Sequence, residues 1–197
     1  SGHSHLKSSR PSAPPAHPIT SSPMPTPRAS PAPELVLNAE HYSRVLRDIL
    51  PTTKEFLWIA TADLKDVFVE GGPKSRPFRP LVAVFAELVG RGVAVRLLHA
   101  KEPGPRFRAD FDKHAALRES DLFERGLCPR LHSKILVVDG TVAYVGSANL
   151  TGAGLGAKGD HRRNFEAGLL LYDRPHITRL MDEIDALWLG RYCGPCQ

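Results

Sequence analysis

The sequence has few cysteines and no long apolar run. Three cysteines in 197 residues exclude a disulfide-stapled scaffold. No apolar stretch approaches the ~18 residues that a membrane-crossing helix needs, so no transmembrane segment is expected. No apolar core of a secretory signal stands near the start either. Acidic residues are missing altogether from residues 1–33. That segment instead holds nine of the 18 prolines, many serines and three cations, Lys7, Arg10 and Arg28. Proline removes backbone donors and fixes φ, so residues 1–33 read as a disordered, solvated leader. Serine-rich, acid-poor segments also occur as organelle transit peptides, but these prolines oppose the amphipathic helix such a peptide forms. From residue 34 onward, 23 basic side chains face 21 acidic ones. The formal charge of +5 is therefore largely a property of the leader, and weak evidence for a nucleic-acid partner. Unpaired cysteines and the lack of export signals point to a cytoplasmic protein.

What is present is a domain of ordinary composition, 42% hydrophobic and 24% charged over the whole chain, enough to build one core. We place it at residues 34–190, followed by a Cys-containing tail, 191–197. Tyr42, Val45, Leu46, Ile49 and Leu50 repeat at helical spacing and Pro51 stops the pattern. Residues 54–61 read as a strand. Phe78, Leu81, Val82, Phe85, Leu88 and Val89 make a second helical stripe, closed by Gly90 and Gly92. Residues 93–99 read as a buried strand and 106–120 as a charged surface helix. Residues 135–138 and 141–145 are apolar runs split by Asp139-Gly140, a strong hairpin signal. A strand over 165–172 and a helix from Ile177 to Trp188 complete the pattern. Strands interleaved with helices predict an α/β fold, and the hairpin makes its sheet mixed, sandwiched by helices.

The chemistry concentrates in residues 132–149, HSKILVVDGTVAYVGSAN. The stretch fits H-x-K-x4-D-x6-G-S-x-N at every specified position. It resembles the signature of the phospholipase D superfamily, and Asn164-Phe165-Glu166 resembles that family's later Asn-x-Glu element. A glycine-rich, basic loop (TGAGLGAKGDHRR) separates the two. The resemblance covers residues 34–190 and implies the phospholipase D/nuclease-like fold. Read from the residues, His132 and Lys134 are two apart and share a face of an extended chain. The Asp139-Gly140 turn brings back the next strand, where Ser147 and Asn149 are again two apart. An imidazole, an ammonium, a hydroxyl and a carboxamide thus gather in one patch, suited to a phosphate that gains charge in the transition state.

Phosphodiester cleavage needs a nucleophile at phosphorus and a proton for the leaving alkoxide on the opposite side. One imidazole cannot serve both sides. His99-Ala100-Lys101 copies the start of the motif, but Arg106 stands where Asp is required and no G-S-x-N follows. A homodimer with two copies of His132 is the expected solution, and the family's single-motif members imply the same: one histidine forms a phosphohistidine and the other acts as acid. His132 is accordingly the expected nucleophile. Lys134, Ser147 and Asn149 are the expected phosphate clamp, and Glu166 is expected to hold the His132 ring. Asp139 belongs to the signature, but its turn position points to an Asx-type bond within the hairpin.

No metal or other cofactor is implied, because the cation is supplied by Lys134 and paired carboxylates for a two-metal site are missing. The motif selects a phosphodiester without selecting its owner. Arg106, Arg108, Lys113, Arg130, Lys158, Arg162 and Arg163 are basic side chains able to flank the site and track nucleic acid. A nuclease is the leading expectation. A phospholipid hydrolase, and an inactive nucleic-acid-binding subunit, are the alternatives. Cys193-Gly194-Pro195-Cys196 resembles a thioredoxin tetrapeptide but follows the last helix instead of opening one. It reads as a terminal turn, or as half of a zinc site if Cys128 or a partner chain completes it.

Overall fold

Strand alternation sorts the core into two layers. The computed structural model describes residues 31–65, 67–70 and 78–194. Most of the expected leader, residues 1–30, and Cys196 lie outside the described residues. The strands are β1 (Glu34–Leu37), β2 (Phe56–Thr61), β3 (Phe68–Glu70), β4 (Phe78–Pro80), β5 (Ala94–His99), β6 (Phe123–Leu127), β7 (Ile135–Val138), β8 (Val142–Gly146) and β9 (Ala167–Leu171). The α-helices are α1 (Leu81–Gly90), α2 (Pro105–Phe111), α3 (Ala115–Glu119) and α4 (Arg174–Trp188). Seven strands form one mixed sheet in the order β1-β9-β8-β7-β2-β5-β6, and β3 pairs with β4 separately. β2, β5 and β6 are parallel; the pairs β2–β7, β7–β8, β8–β9 and β9–β1 are antiparallel.

Leu57, Ile59, Val95, Leu97, Leu136 and Val138 point to one face, where the segment 41–50, α1, α2 and α3 cover them. Ala60, Leu98, Ile135, Val137 and Ala143 point to the other, covered by Ile177 and Ile184 of α4. Each such buried Val, Leu or Ile side chain stabilises the fold by roughly 1.5–3 kcal/mol. β7 is buried along its whole length, as a strand covered on both faces must be. Arg96 fastens α4 to the sheet. Its guanidinium lies 4.5 Å from the Trp58 ring and 4.8 Å from the Trp188 ring, and it donates to Asp185 at 2.8 Å.

The sheet sandwiched by helices agrees with the sequence reading; several boundaries differ. The first helix is π-helical, His41–Ile49, and Pro51 sits inside a following 3₁₀ turn, Leu50–Thr52, where its missing N–H costs nothing. Phe78 opens β4 instead of a helix, because Pro80 serves as the N-cap of α1. The surface helix expected over 106–120 breaks into α2 and α3. β1 and β6 were not apparent in the sequence; both are edge strands with mixed patterns.

Candidate active site

Most of the motif residues gather in the connections at one end of the sheet. There β7 begins, β8 ends, β9 begins, and the parallel strands β2 and β5 end. In sheets with parallel strands, the carboxyl ends are where ligand sites collect.

His132 is exposed in the connection that leads into β7, and Lys134 is buried at its foot. The Lys134 ammonium donates to the His132 carbonyl at 2.7 Å and lies 3.3 and 3.4 Å from the two ring nitrogens, Nδ1 and Nε2. Burial pushes the Lys134 ammonium below the ordinary lysine range, and the nearby Glu166 carboxylate pulls it back up. The pair therefore shares one face, as its spacing predicts.

After β8, the G-S-x-N turn is shaped by Tyr144. Tyr144 leaves no room for a side chain at two positions: a Cβ on Gly168 would stand 2.4 Å from Tyr144 Cε2, and one on Gly146 would run into the Tyr144 hydroxyl and stand 2.7 Å from the Ala167 carbonyl. Gly146 and Gly168 are cross-strand partners. The Tyr144 hydroxyl accepts from the Ala148 amide at 3.3 Å. Burial raises its pKa to about 12, so it stays a neutral phenol. The motif glycine is thus explained by close approach.

Asn149 is half-buried. Its Oδ1 accepts from the Asp63 amide at 3.0 Å, which fixes the carboxamide flip and leaves Nδ2 as the donor end. Thr61, at the end of β2, accepts from the Leu150 amide at 3.1 Å and donates to the Asp63 carbonyl at 3.0 Å. Ser147 differs from expectation. Its hydroxyl proton goes to the Glu166 carboxylate, and its oxygen accepts from the Ala167 amide at 3.1 Å. It is engaged by Glu166 instead of standing open as a phosphate donor.

Glu166 accepts from Ser147 at Oε2 and from Asn164 Nδ2 at Oε1, the latter at 3.0 Å. The described neighbour of the His132 ring is Lys134, so the expected Glu166–imidazole bond is replaced by a Glu166–Ser147 bond and a charge felt at Lys134.

Asp139 stands apart from the other five residues. It follows β7, about 17 Å of extended chain from Lys134. Its positive φ of 51°, with 63° at Gly140, makes the type I′ turn. Its carboxylate accepts from the amides of Lys54, Glu55 and Phe56, each at 2.9 Å. The Asx bond expected inside the hairpin is thus replaced by bonds to the chain entering β2, 83 to 85 residues away. Asp139→Ala is expected to lower stability by about 1–3 kcal/mol, read as a shift in the denaturant midpoint at unchanged slope.

Two supporting residues carry no sequence signal. Asn38, at a positive φ of 49°, brackets Glu166: its N–H donates to the Glu166 carbonyl at 2.9 Å and its Oδ1 accepts the Glu166 amide at 3.1 Å. His41 is fully buried and its Nδ1 bonds to the Asn38 carbonyl at 2.9 Å. Burial lowers its pKa, so the ring is a neutral strut stacked edge-on against Tyr144 at 5.4 Å. His99, in the partial copy of the motif, is buried with Nδ1 against the Lys101 carbonyl at 2.7 Å, a structural histidine.

Of the flanking cations, Lys158 and Arg162 are exposed on the loop that runs from Asn149 to Glu166, with half-buried Arg163 beside them. Arg130 precedes His132 by two residues. Arg106 and Arg108 ride on α2, and Lys113 is paired with Asp110 at 2.6 Å. Cys128 and Cys193 line one cavity of about 290 Å³ with Arg130, Glu183, Leu187 and Tyr192. Among the described residues, no three His, Cys, Asp or Glu side chains are grouped as a metal would require. Among the same residues, no helix is long and apolar enough to cross a membrane.

A family model described as the cardiolipin synthase, phospholipase D-like domain matches residues 46–188. No curated protein matches the sequence. Among solved structures, the chain is similar to Nuc from Salmonella typhimurium, a phospholipase D family member, at TM-score 0.56 and 14% identity, over 80% of this chain and 93% of that one. It is similar to NucT from Helicobacter pylori at TM-score 0.55 and 13% identity, over 78% and 93%. It also matches TrmBL2, an archaeal chromatin protein with a novel mode of DNA binding, at TM-score 0.55 and 15% identity, over 84% of this chain and 54% of that one.

Proposed function

The chain belongs to the phospholipase D-like family whose model spans residues 46–188, and from that premise we propose that it is a metal-independent nuclease working through a phosphohistidine. The carrying observation is the placement of a buried Lys134 ammonium against an exposed His132 ring. The lysine supplies the fixed cation that stabilises charge on the non-bridging phosphate oxygens. Asn149 Nδ2 adds a donor. The His132 nitrogen attacks phosphorus, a P–N bond forms and the P–O bond to the leaving group breaks. The alkoxide takes a proton from His132 of the partner subunit. Water, deprotonated by that same partner imidazole, then attacks the phosphohistidine and releases His132 with a phosphomonoester. Glu166 acts in this scheme by holding Ser147 and Asn164 and by balancing the charge of Lys134.

The test is incubation with single-stranded DNA, duplex DNA and RNA in excess EDTA, followed by trapping of an acid-labile phosphoenzyme. Full activity in EDTA with label on His132 is expected. Activity lost to EDTA and restored by Mg²⁺ would overturn the mechanism. The family model's description favours a second substrate, an anionic phospholipid such as cardiolipin, so vesicles belong in the same panel. TrmBL2's DNA binding keeps a third role, binding without cleavage, in view. A parent that binds nucleic acid without cleaving it, matched in binding by His132→Ala, would favour that role over the enzyme.

A further inference from the structure

The loop joining the two halves of the site carries features that the scheme above leaves unused. Its root is tied down: the Lys158 amide donates to the Gly152 carbonyl and the Asn164 amide to the Ala153 carbonyl, both at 3.1 Å. Beyond the root, Lys158, His161 and Arg162 are exposed. Phe165 follows, and it is 94% exposed. Its neighbours are held firmly, Asn164 by the Glu166 carboxylate, and Glu166 by its amide donating to Asn38 Oδ1 and its carbonyl accepting from the Asn38 amide. The chain thus presents a phenyl ring to water on a fixed backbone, one residue from the carboxylate that anchors Ser147.

We propose that Phe165 is a stacking platform for a base of single-stranded nucleic acid, with Lys158, His161 and Arg162 following its phosphates. The inference rests on the nuclease reading and names the substrate class of that site. Two arguments select this occupant. The exposed side chains preceding the ring include two cations, Lys158 and Arg162, complementary to a polyanion. An aromatic ring meets a base face-on only when that base is unstacked, whereas a duplex hides its base faces. A membrane surface fits less well, because Phe165 is the sole large apolar side chain exposed on this loop among the described residues. The competing occupant is a second copy of this chain, since Leu35, Leu37 and Leu169 form an exposed apolar patch on the neighbouring strands.

The experiment measures oligonucleotide binding in the His132→Ala protein, which separates binding from cleavage. Phe165→Ala, Phe165→Leu and Phe165→Trp are made on that background and in the parent. The first two should weaken binding of a single-stranded oligonucleotide by about tenfold or more, with a smaller effect on a duplex. Phe165→Trp should keep the affinity, and its added fluorescence should be quenched by the oligonucleotide. Leucine serving as well as tryptophan, or alanine changing nothing, sinks the proposal. So does a dimer that falls to monomers in Phe165→Ala, which marks a subunit contact, or a loss confined to cardiolipin vesicles. If the parent neither binds nor cleaves any nucleic acid, the nuclease reading itself fails. If the parent cleaves and Phe165→Ala matches it, only this inference does.

Discussion

His132→Ala is expected to lose phosphodiester cleavage by on the order of 10⁴-fold or more while keeping its fold. The size follows from symmetry. In a composite site the same residue supplies the nucleophile from one protomer and the acid from the other, so one substitution removes both groups. The side chain is exposed, so truncation leaves no cavity in the core, and thermal unfolding should coincide with the parent. Mixing adds a sharper test. After subunit exchange at equal amounts, about a quarter of dimers carry two intact histidines. Activity near a quarter of the parent supports the shared site, whereas about half indicates independent protomers and refutes the two-chain mechanism.

Gly168→Ala is the largest expected stability effect. The new Cβ would lie 2.4 Å from Tyr144 Cε2 and 2.8 Å from its hydroxyl, well inside contact distance. The ring is buried, and its hydroxyl carries the Ala148 amide. It therefore cannot swing away without breaking the turn that holds Ser147 and Asn149. Overpacking of this kind costs roughly 1–3 kcal/mol or more, a fall in Tm of about 2–12 °C for a domain this size. Combining it with Tyr144→Leu should cost less than the sum of the two single changes, because the clash is gone. A Gly168→Ala protein as stable as the parent would show that Tyr144 is not fixed there. The same substitution should also depress cleavage, since the G-S-x-N turn rests on that phenol.

These two experiments probe different kinds of information. The His132–Lys134 pairing is written into local spacing: residues two apart fall on one side of an extended chain whatever the rest of the protein does. The Asp139-Gly140 hairpin is equally local, because both residues tolerate the left-handed conformation its turn requires. The apolar runs of β5 and β7 and the stripe of α4 follow from period and burial alone. The sequence by itself therefore determined the sheet-and-helix plan, the motif and the identity of most side chains gathered at the candidate site.

Partnership across distance was decided only by the tertiary structure. Asp139 bonds to amides at positions 54–56, Asn149 to the amide of Asp63, and Glu166 to Asn38, 128 residues away. None of these pairings has a local signature, because strand order brings the partners together and strand order is a global property. Ser147 turning to Glu166, Gly168 yielding to Tyr144 and the bare ring of Phe165 depend in the same way on which strand ends meet at one end of the sheet. A hydrogen bond or a close contact needs two surfaces, and the sequence displays only one of them at a time.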